Sequence, residues 1–197
     1  MELEATRKIT SKVGLDCVEA ELPFLETARD IRRRNPSALG KSVIPEGYIP
    51  ARNLVFYASA AYYAEVYGAD YIVGGHLETD CIGFPDATAA FFSAVEGLIN
   101  MGRLQDGGNG TRAGDGLVTD DRRSDDGVRL LLPFLRSGKS DVLRLALELD
   151  VPLQLTWTCY LDREAHCGSC AACLERKQAF DSVGLVDPIR CGPGTSE

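Results

Sequence analysis

The apolar positions of the first half of the chain change period several times. Leu3, Ile9 and Val13 predict a helix over Glu2–Val13, with Gly14 as its stop. Leu15–Leu22 alternates loosely around Cys17 and Val18 and reads as a strand. Pro23–Tyr48 keeps no period and is rich in Pro and Gly, which predicts a long loop with some helix. Leu54, Val55, Ala58, Ala61, Tyr62 and Val66 form one broad face, so Leu54–Tyr67 is predicted helical, ended by Gly68. Tyr71-Ile72-Val73 reads as a short buried strand closed by Gly74-Gly75.

A loop over His76–Pro85 follows, then a helix from Asp86, a good N-cap, to the neighbourhood of Ile99. Asn100–Gly127 is dominated by Gly, Asp and Arg and reads as a surface excursion, with some strand character around Gly116-Leu117-Val118. Val128–Leu132 is predicted as a strand. Lys139–Leu149 is predicted as a helix with Val142, Leu143, Leu145, Ala146 and Leu149 on its apolar side, and Cys170–Val183 as a short helix. Helices and strands that alternate in this way predict an α/β fold, a parallel sheet covered by helices. The chain opens inside a helix without a lead-in, so the first β–α turn, where such sheets hold phosphates, is expected to be missing.

Composition narrows the class. The 197 residues suffice for one domain with a real core, and the 45% apolar and 25% charged content is ordinary for a globular protein. No apolar run reaches the roughly 18–20 residues that span a bilayer, and Met1–Ile9 is charged rather than signal-like. The protein is therefore expected in the cytoplasm, away from membranes. A net charge of −8 argues against a broad nucleic-acid surface. The one basic run, Arg32-Arg33-Arg34 beside Asn35-Pro36, reads as a solvated loop.

Four of the seven cysteines fall near the C-terminus, in the spacing Cys159-x7-Cys167-x2-Cys170-x2-Cys173. An odd cysteine count with no signal peptide is poor evidence for a disulfide framework. Three thiols three residues apart can wrap one ion where a knuckle enters a helix, and Cys159 supplies the fourth. Four thiolates suit tetrahedral zinc. An iron–sulfur cluster would require a further Cys-Pro after three more residues, where this chain has Lys177-Gln178. A closed four-thiolate site leaves no open position for water, so its role is structural. His166 then reads as a neighbour of the site, and Cys17, Cys81 and Cys191 as buried or incidental thiols.

Several segments together resemble one family. Thr156-Trp157-Thr158-Cys159-Tyr160, His166-Cys167-Gly168-Ser169-Cys170 and Cys173-Leu174-Glu175-Arg176-Lys177-Gln178-Ala179-Phe180 resemble the C-terminal signature of the 7-cyano-7-deazaguanine synthases, the QueC family. Ile49-Pro50-Ala51-Arg52-Asn53, Gly75-His76-Leu77-Glu78-Thr79-Asp80, Gly83-Phe84-Pro85-Asp86 and Pro133-Phe134 with Ser137-Gly138-Lys139 resemble further segments of that family in the same order. The resemblance implies a fold of the PP-loop ATPase (adenine nucleotide alpha hydrolase-like) type. Residues 1–150 would form its α/β domain, without the first strand and phosphate loop, and residues 151–197 a zinc-binding segment of the same domain.

The chemistry it implies converts 7-carboxy-7-deazaguanine, ammonia and ATP to the 7-nitrile, for queuosine or archaeosine in tRNA. The carboxylate is adenylated, ammonia displaces AMP, and the amide is activated again and dehydrated. Partners would be these small molecules and a second copy of the chain, with no direct nucleic-acid contact. Arg52 and Lys139 read as phosphate-binding residues or as surface charges at helix starts. Asp80 and Asp86 could accept hydrogen bonds from a guanine-like edge, or Asp86 could only cap its helix. The lone Trp157 reads as a core residue rather than a stacking platform.

Departures from the family pattern matter as well. Its Ser-Gly-Gly-x-Asp-Ser loop is not found in these residues, and Gly107-Gly108-Asn109-Gly110 lacks the strand–turn–helix context to replace it. Ala87 and Phe84 stand where the family has Cys and Tyr. The chain is thus expected to be an N-terminally truncated ligase with a sheet order resembling 3-2-1-4-5. The place of the first strand would be empty, leaving Leu15–Leu22 and Tyr71–Val73 unpaired on that side and the sheet split or collapsed. The alternatives are a ligase acting on another carboxylate or tRNA base, and a non-catalytic zinc-stabilised homologue that binds a ligand or partner.

Overall fold

A computed structural model describes residues 1–40, 44, 48–103, 127–161, 164–189 and 191. The sequence reading of Gly107–Gly110 and Gly116–Val118 lies outside these residues. The chain divides into two compact units, one made of Pro23–Leu135 and the other of Met1–Leu22 with Arg136–Glu197.

The first of these units is an α/β body. It contains α2 (Ala28–Arg34), α3 (Arg52–Tyr67), β1 (Tyr71–Val73), α4 (Glu78–Gly83), α5 (Ala89–Gly102) and β2 (Arg129–Leu131). The two strands pair in parallel, with Ile72 opposite Leu130. Helices α3 and α5 pack against them, and Tyr57, Ala64, Ile72, Ala87, Phe92, Val95 and Val128 form the core. Among the described residues β2 has no strand on its far edge. Glu96 on α5 accepts from the Leu130 N–H at 2.6 Å there, and Asn100 exchanges two 2.9 Å bonds with the backbone of Val128. Side chains of one helix thus satisfy an edge that would otherwise offer unpaired donors.

At Gly74, directly after β1, no larger residue fits. A Cβ there would overlap Tyr57 Oη and come within 2.9 Å of Leu132 Cδ2. Tyr57 Oη is itself buried without a hydrogen-bond partner among the described residues.

The other unit is helical: α1 (Glu2–Val13), α6 (Lys139–Glu148) and α7 (Ala171–Ser182), with a 3₁₀ turn at Leu153–Leu155. Helices α6 and α7 pack through Leu143, Ala179 and Phe180, and α1 lies against the 3₁₀ turn. Helix α1 starts at Glu2 with no side-chain cap. Its end at Gly14 takes the left-handed conformation, φ 72°, as a glycine stop requires.

Several expectations need correction. Leu15–Leu22 is not a strand: it joins no sheet, and Leu15 and Val18 are exposed. A loose alternation becomes a strand only where a partner offers a ladder, and among the described residues none does. Tyr71 and Val73 are exposed, so only Ile72 makes β1 a buried strand. Helix α3 turns a different face inward: Asn53, Tyr57 and Ala64 are buried, whereas Leu54, Tyr62 and Val66 are exposed. The helix is apolar nearly all round, so periodicity alone could not choose its inner face. In α6 only Leu143 is fully buried, while Leu145 and Leu149 face outward. The basic run is no loop but the last turn of α2, where its charges suit the helix dipole. Arg33 pairs with Asp30, and Arg34 with Glu26.

Candidate metal centre

The four cysteines of the C-terminal motif converge. Their Sγ atoms all lie within 4.8 Å of one another; Cys159, Cys167 and Cys173 are buried and Cys170 is half-buried. Cys170 occupies the N-cap of α7 and Cys173 lies in its first turn, so one helix start positions two ligands. Cys167 precedes a tight knuckle made possible by Gly168, whose φ of 72° disfavours any other residue. A Cβ on Gly168 would also come within 3.2 Å of the side chain of Cys191.

Backbone donors surround two of the sulfurs. The N–H groups of Leu161 and Cys167 donate to Cys159 Sγ at 3.4 Å. Those of Ser169 and Cys170 donate to Cys167 Sγ at 3.4 and 3.3 Å, joined by the Ser169 hydroxyl at 3.5 Å. Such donors favour thiolates. The Ser169 hydroxyl, with the two backbone N–H groups, pulls the Cys167 thiol down to about 5. Burial pushes Cys173 the other way, to about 12, and a cation bound among the thiols would favour their ionised forms.

The donor set and its dimensions fit a metal ion. Tetrahedral zinc with thiolate bonds of about 2.3 Å requires sulfurs roughly 3.8 Å apart. Cys167 and Cys173 stand 4.0 Å apart. Lys177 occupies the place of a ferredoxin cysteine and instead pairs with Asp181.

His166 is a neighbour of the cluster and not one of its four donors. Its Nε2 accepts from the Thr158 N–H at 3.0 Å, so the ring is neutral with its proton on Nδ1, and burial holds its pKa below the usual value. The ring packs on Trp157, centroids 4.3 Å apart, and Trp157 Nε1 donates to the Cys159 carbonyl at 2.8 Å. Trp157 is therefore a wall of the metal centre. Cys17 and Cys191 are exposed and Cys81 is half-buried, so none of the three remaining thiols is a core residue.

The other candidate residues fall in both units. Asp86 does not cap α5. That cap is Thr88, whose hydroxyl accepts from the Phe91 N–H at 3.2 Å. Pro85–Ala87 forms a separate 3₁₀ turn, which frees Asp86 to accept from the Asn53 N–H at 3.3 Å, while Asn53 Nδ2 donates to the Asp86 carbonyl at 2.8 Å. Asp86 thus sits at the start of α3, beside Arg52. The Asp80 carboxylate accepts from the Leu77 N–H at 2.8 Å and closes the first turn of α4. Lys139 belongs to the other unit, where it pairs with Glu175 at 2.8 Å.

His76 carries no assigned role in the sequence, yet it feels the charges of three candidate residues, Arg52, Asp80 and Asp86. Its ring packs on Phe92 and Tyr57. Burial lowers its pKa, with Arg52 acting in the same sense and Asp80 and Asp86 opposing. Its position directly after the glycine pair that closes a strand was the available signal.

An α/β chain that gathers four cysteine thiols into one cluster able to hold a metal ion is the class of protein these features define. The sequence profile described as "Queuosine biosynthesis protein QueC" matches residues 1–184, and the chain belongs to that family. Among similar proteins, 7-cyano-7-deazaguanine synthase of Acidobacterium capsulatum is 38% identical over 95% of this chain and 78% of its own length. The proteins of the same name from Nitratiruptor sp. and Methanospirillum hungatei are 33% and 29% identical, again over 95% of this chain and 79% and 80% of theirs. No helix among the described residues is long and apolar enough to cross a membrane.

Proposed function

We propose that this chain serves as a 7-cyano-7-deazaguanine synthase, an ATP-dependent ligase of the PP-loop type that turns 7-carboxy-7-deazaguanine and ammonia into the nitrile. The observation that carries the reading is the family match, which runs from residue 1 through the cysteine cluster to residue 184. In this reading zinc is the resident ion, held by Cys159, Cys167, Cys170 and Cys173, and it acts as a structural cross-link. Arg52 offers a positive charge to the phosphate groups of ATP, and Lys139, paired with Glu175 in its own unit, is the alternative candidate for that role. Asp80 and Asp86 accept from the guanine-like edge, and His76 presents a neutral imidazole beside them. A carboxylate is a poor electrophile, so positive and donor groups that stabilise the adenylation transition state are the chemical need. The substrates are small molecules, the tRNA is not touched directly, and the working location is the cytoplasm, with a homodimer as the assembly.

The reaction as read requires a loop that grips the β- and γ-phosphates, and no Ser-Gly-Gly-x-Asp-Ser occurs in these 197 residues. The test incubates 7-carboxy-7-deazaguanine, ATP and ammonia with the 197-residue chain, and with the same chain preceded by a strand and that loop. Nitrile and AMP are followed by mass spectrometry. Turnover is expected with the loop present and a negligible rate without it. No nitrile from either protein, with the zinc retained, would favour a non-catalytic zinc-stabilised homologue that binds a ligand or partner.

A further inference from the structure

Arg176 is a charged residue in the interior of the helical unit, only 9% exposed. It lies one turn after Cys173 on α7, so the two side chains share a helix face. Every nitrogen of its guanidinium donates a hydrogen bond. Nε donates to Asp187 Oδ2 at 2.6 Å and Nη2 to Asp187 Oδ1 at 2.9 Å, a bidentate fork. Nη1 donates to Thr156 Oγ1 at 2.6 Å, and Nη2 also reaches the Leu153 carbonyl at 3.2 Å. The Phe180 ring packs on the guanidinium, centroid 5.2 Å away. Asp187 is held in turn by the Ile189 N–H at 3.0 Å.

The three segments joined in this way matter more than the ion pair itself. Helix α7 carries Cys173 and, at its cap, Cys170. Thr156 stands three residues before Cys159, the ligand most distant in sequence from the others. Asp187 belongs to the tail beyond α7. A buried ion pair is weak evidence for stability, because well-packed apolar residues often serve as well. What a planar guanidinium fork does supply is fixed geometry, which a lysine cannot reproduce.

We infer that the Arg176–Asp187 pair, acting through Thr156, is a positioning device for the metal centre. It clamps the strand of chain that delivers Cys159 onto the helix that delivers Cys170 and Cys173. The four thiols are then gathered before the ion arrives, and the ordering cost of closing the site falls outside the binding step. The inference rests on the reading of the cluster as a zinc site.

The test compares wild-type protein with Arg176→Lys and Thr156→Val. Zinc affinity is measured by competition with a chromophoric chelator, and cobalt is substituted to read the visible bands of the tetrahedral thiolate site. Zinc binding is expected to weaken about 10–100-fold in Arg176→Lys, the range seen when groups that orient metal ligands are lost, and about 10-fold in Thr156→Val. The cobalt bands should shift or lose intensity in both. Thr156→Val leaves the ion pair in place, so it decides the matter if Arg176→Lys does not fold. Unchanged zinc affinity and unchanged cobalt bands in the variants would overturn the inference even if their thermal midpoints fell, since that pattern marks a structural role only. A wild-type protein that holds no zinc would instead sink the metal reading itself.

Discussion

His76 shows how one side chain can be tuned by burial, with no hydrogen-bond partner among the described residues. Burial against Phe92 and Tyr57 disfavours its charged form, so its folded-state pKa lies below the unfolded value. Between those two values the unfolded chain binds the extra proton, and stability rises with pH. The contribution is therefore complete above about pH 6.5, the ordinary histidine value, and is lost as pH falls through it toward the folded pKa. Urea unfolding at several pH values should show this loss in the wild type. In His76→Phe, which keeps an aromatic ring against Phe92, the curve should be flatter between about pH 7 and pH 5. Parallel pH curves for the two proteins would mean that His76 titrates alike in both states.

The knuckle between Cys167 and Cys170 is the element on which the metal centre turns. Its left-handed Gly168 aims the N–H groups of Ser169 and Cys170 at one sulfur. Gly168→Ala places a Cβ in a conformation that costs L-residues about 1–2 kcal/mol. The same Cβ meets Cys191, so the neighbouring tail must also move. Chemical denaturation of the zinc-loaded variant should show a loss of about that size or more, together with faster release of zinc to a chelator. Full stability and normal zinc retention would show that the knuckle can be rebuilt without a left-handed residue.

At the scale of the whole molecule the two units rest on different foundations. The Pro23–Leu135 unit has a core of Tyr57, Ile72, Phe92, Val95 and Val128 with no metal cluster among its described residues. The cysteine-bearing unit has the small Leu143, Ala179 and Phe180 core beside four thiols that a cation would join. The purified chain is expected to hold about one zinc, and an ion that binds only the folded state adds about 4 kcal/mol when it stands a thousandfold above its Kd. Chelation should therefore destabilise the cysteine-bearing unit first. The lone Trp157, packed on His166 and bonded to the Cys159 carbonyl, is a built-in fluorescence reporter of that event. Iron with visible absorbance, or a well-folded protein free of metal, would defeat this expectation.

The cysteine spacing and the helix stops at Gly14 and Gly68 were legible in the sequence, because each depends on residues close together along the chain. The apolar runs at Tyr71–Val73 and Val128–Leu132 were legible too, but they became strands, the second over Arg129–Leu131, because each found the other as partner. A thiol three residues from the next, or a glycine after an apolar run, constrains the backbone locally whatever surrounds it. Tertiary structure alone decided which face of α3 turns inward, because an all-round apolar helix has no preferred side until the sheet supplies one. It also decided that Leu15–Leu22 would remain without a ladder, since a strand is defined by its partner. The same holds for Asp86, which left the cap of α5 to Thr88 and turned to Asn53, 33 positions upstream. Arg176 reads in sequence as one more helical cation, and only the fold brings Thr156 and Asp187 to its fork. Contacts of that reach carry no period and no spacing, so the physics that makes them appears only when the chain has closed on itself.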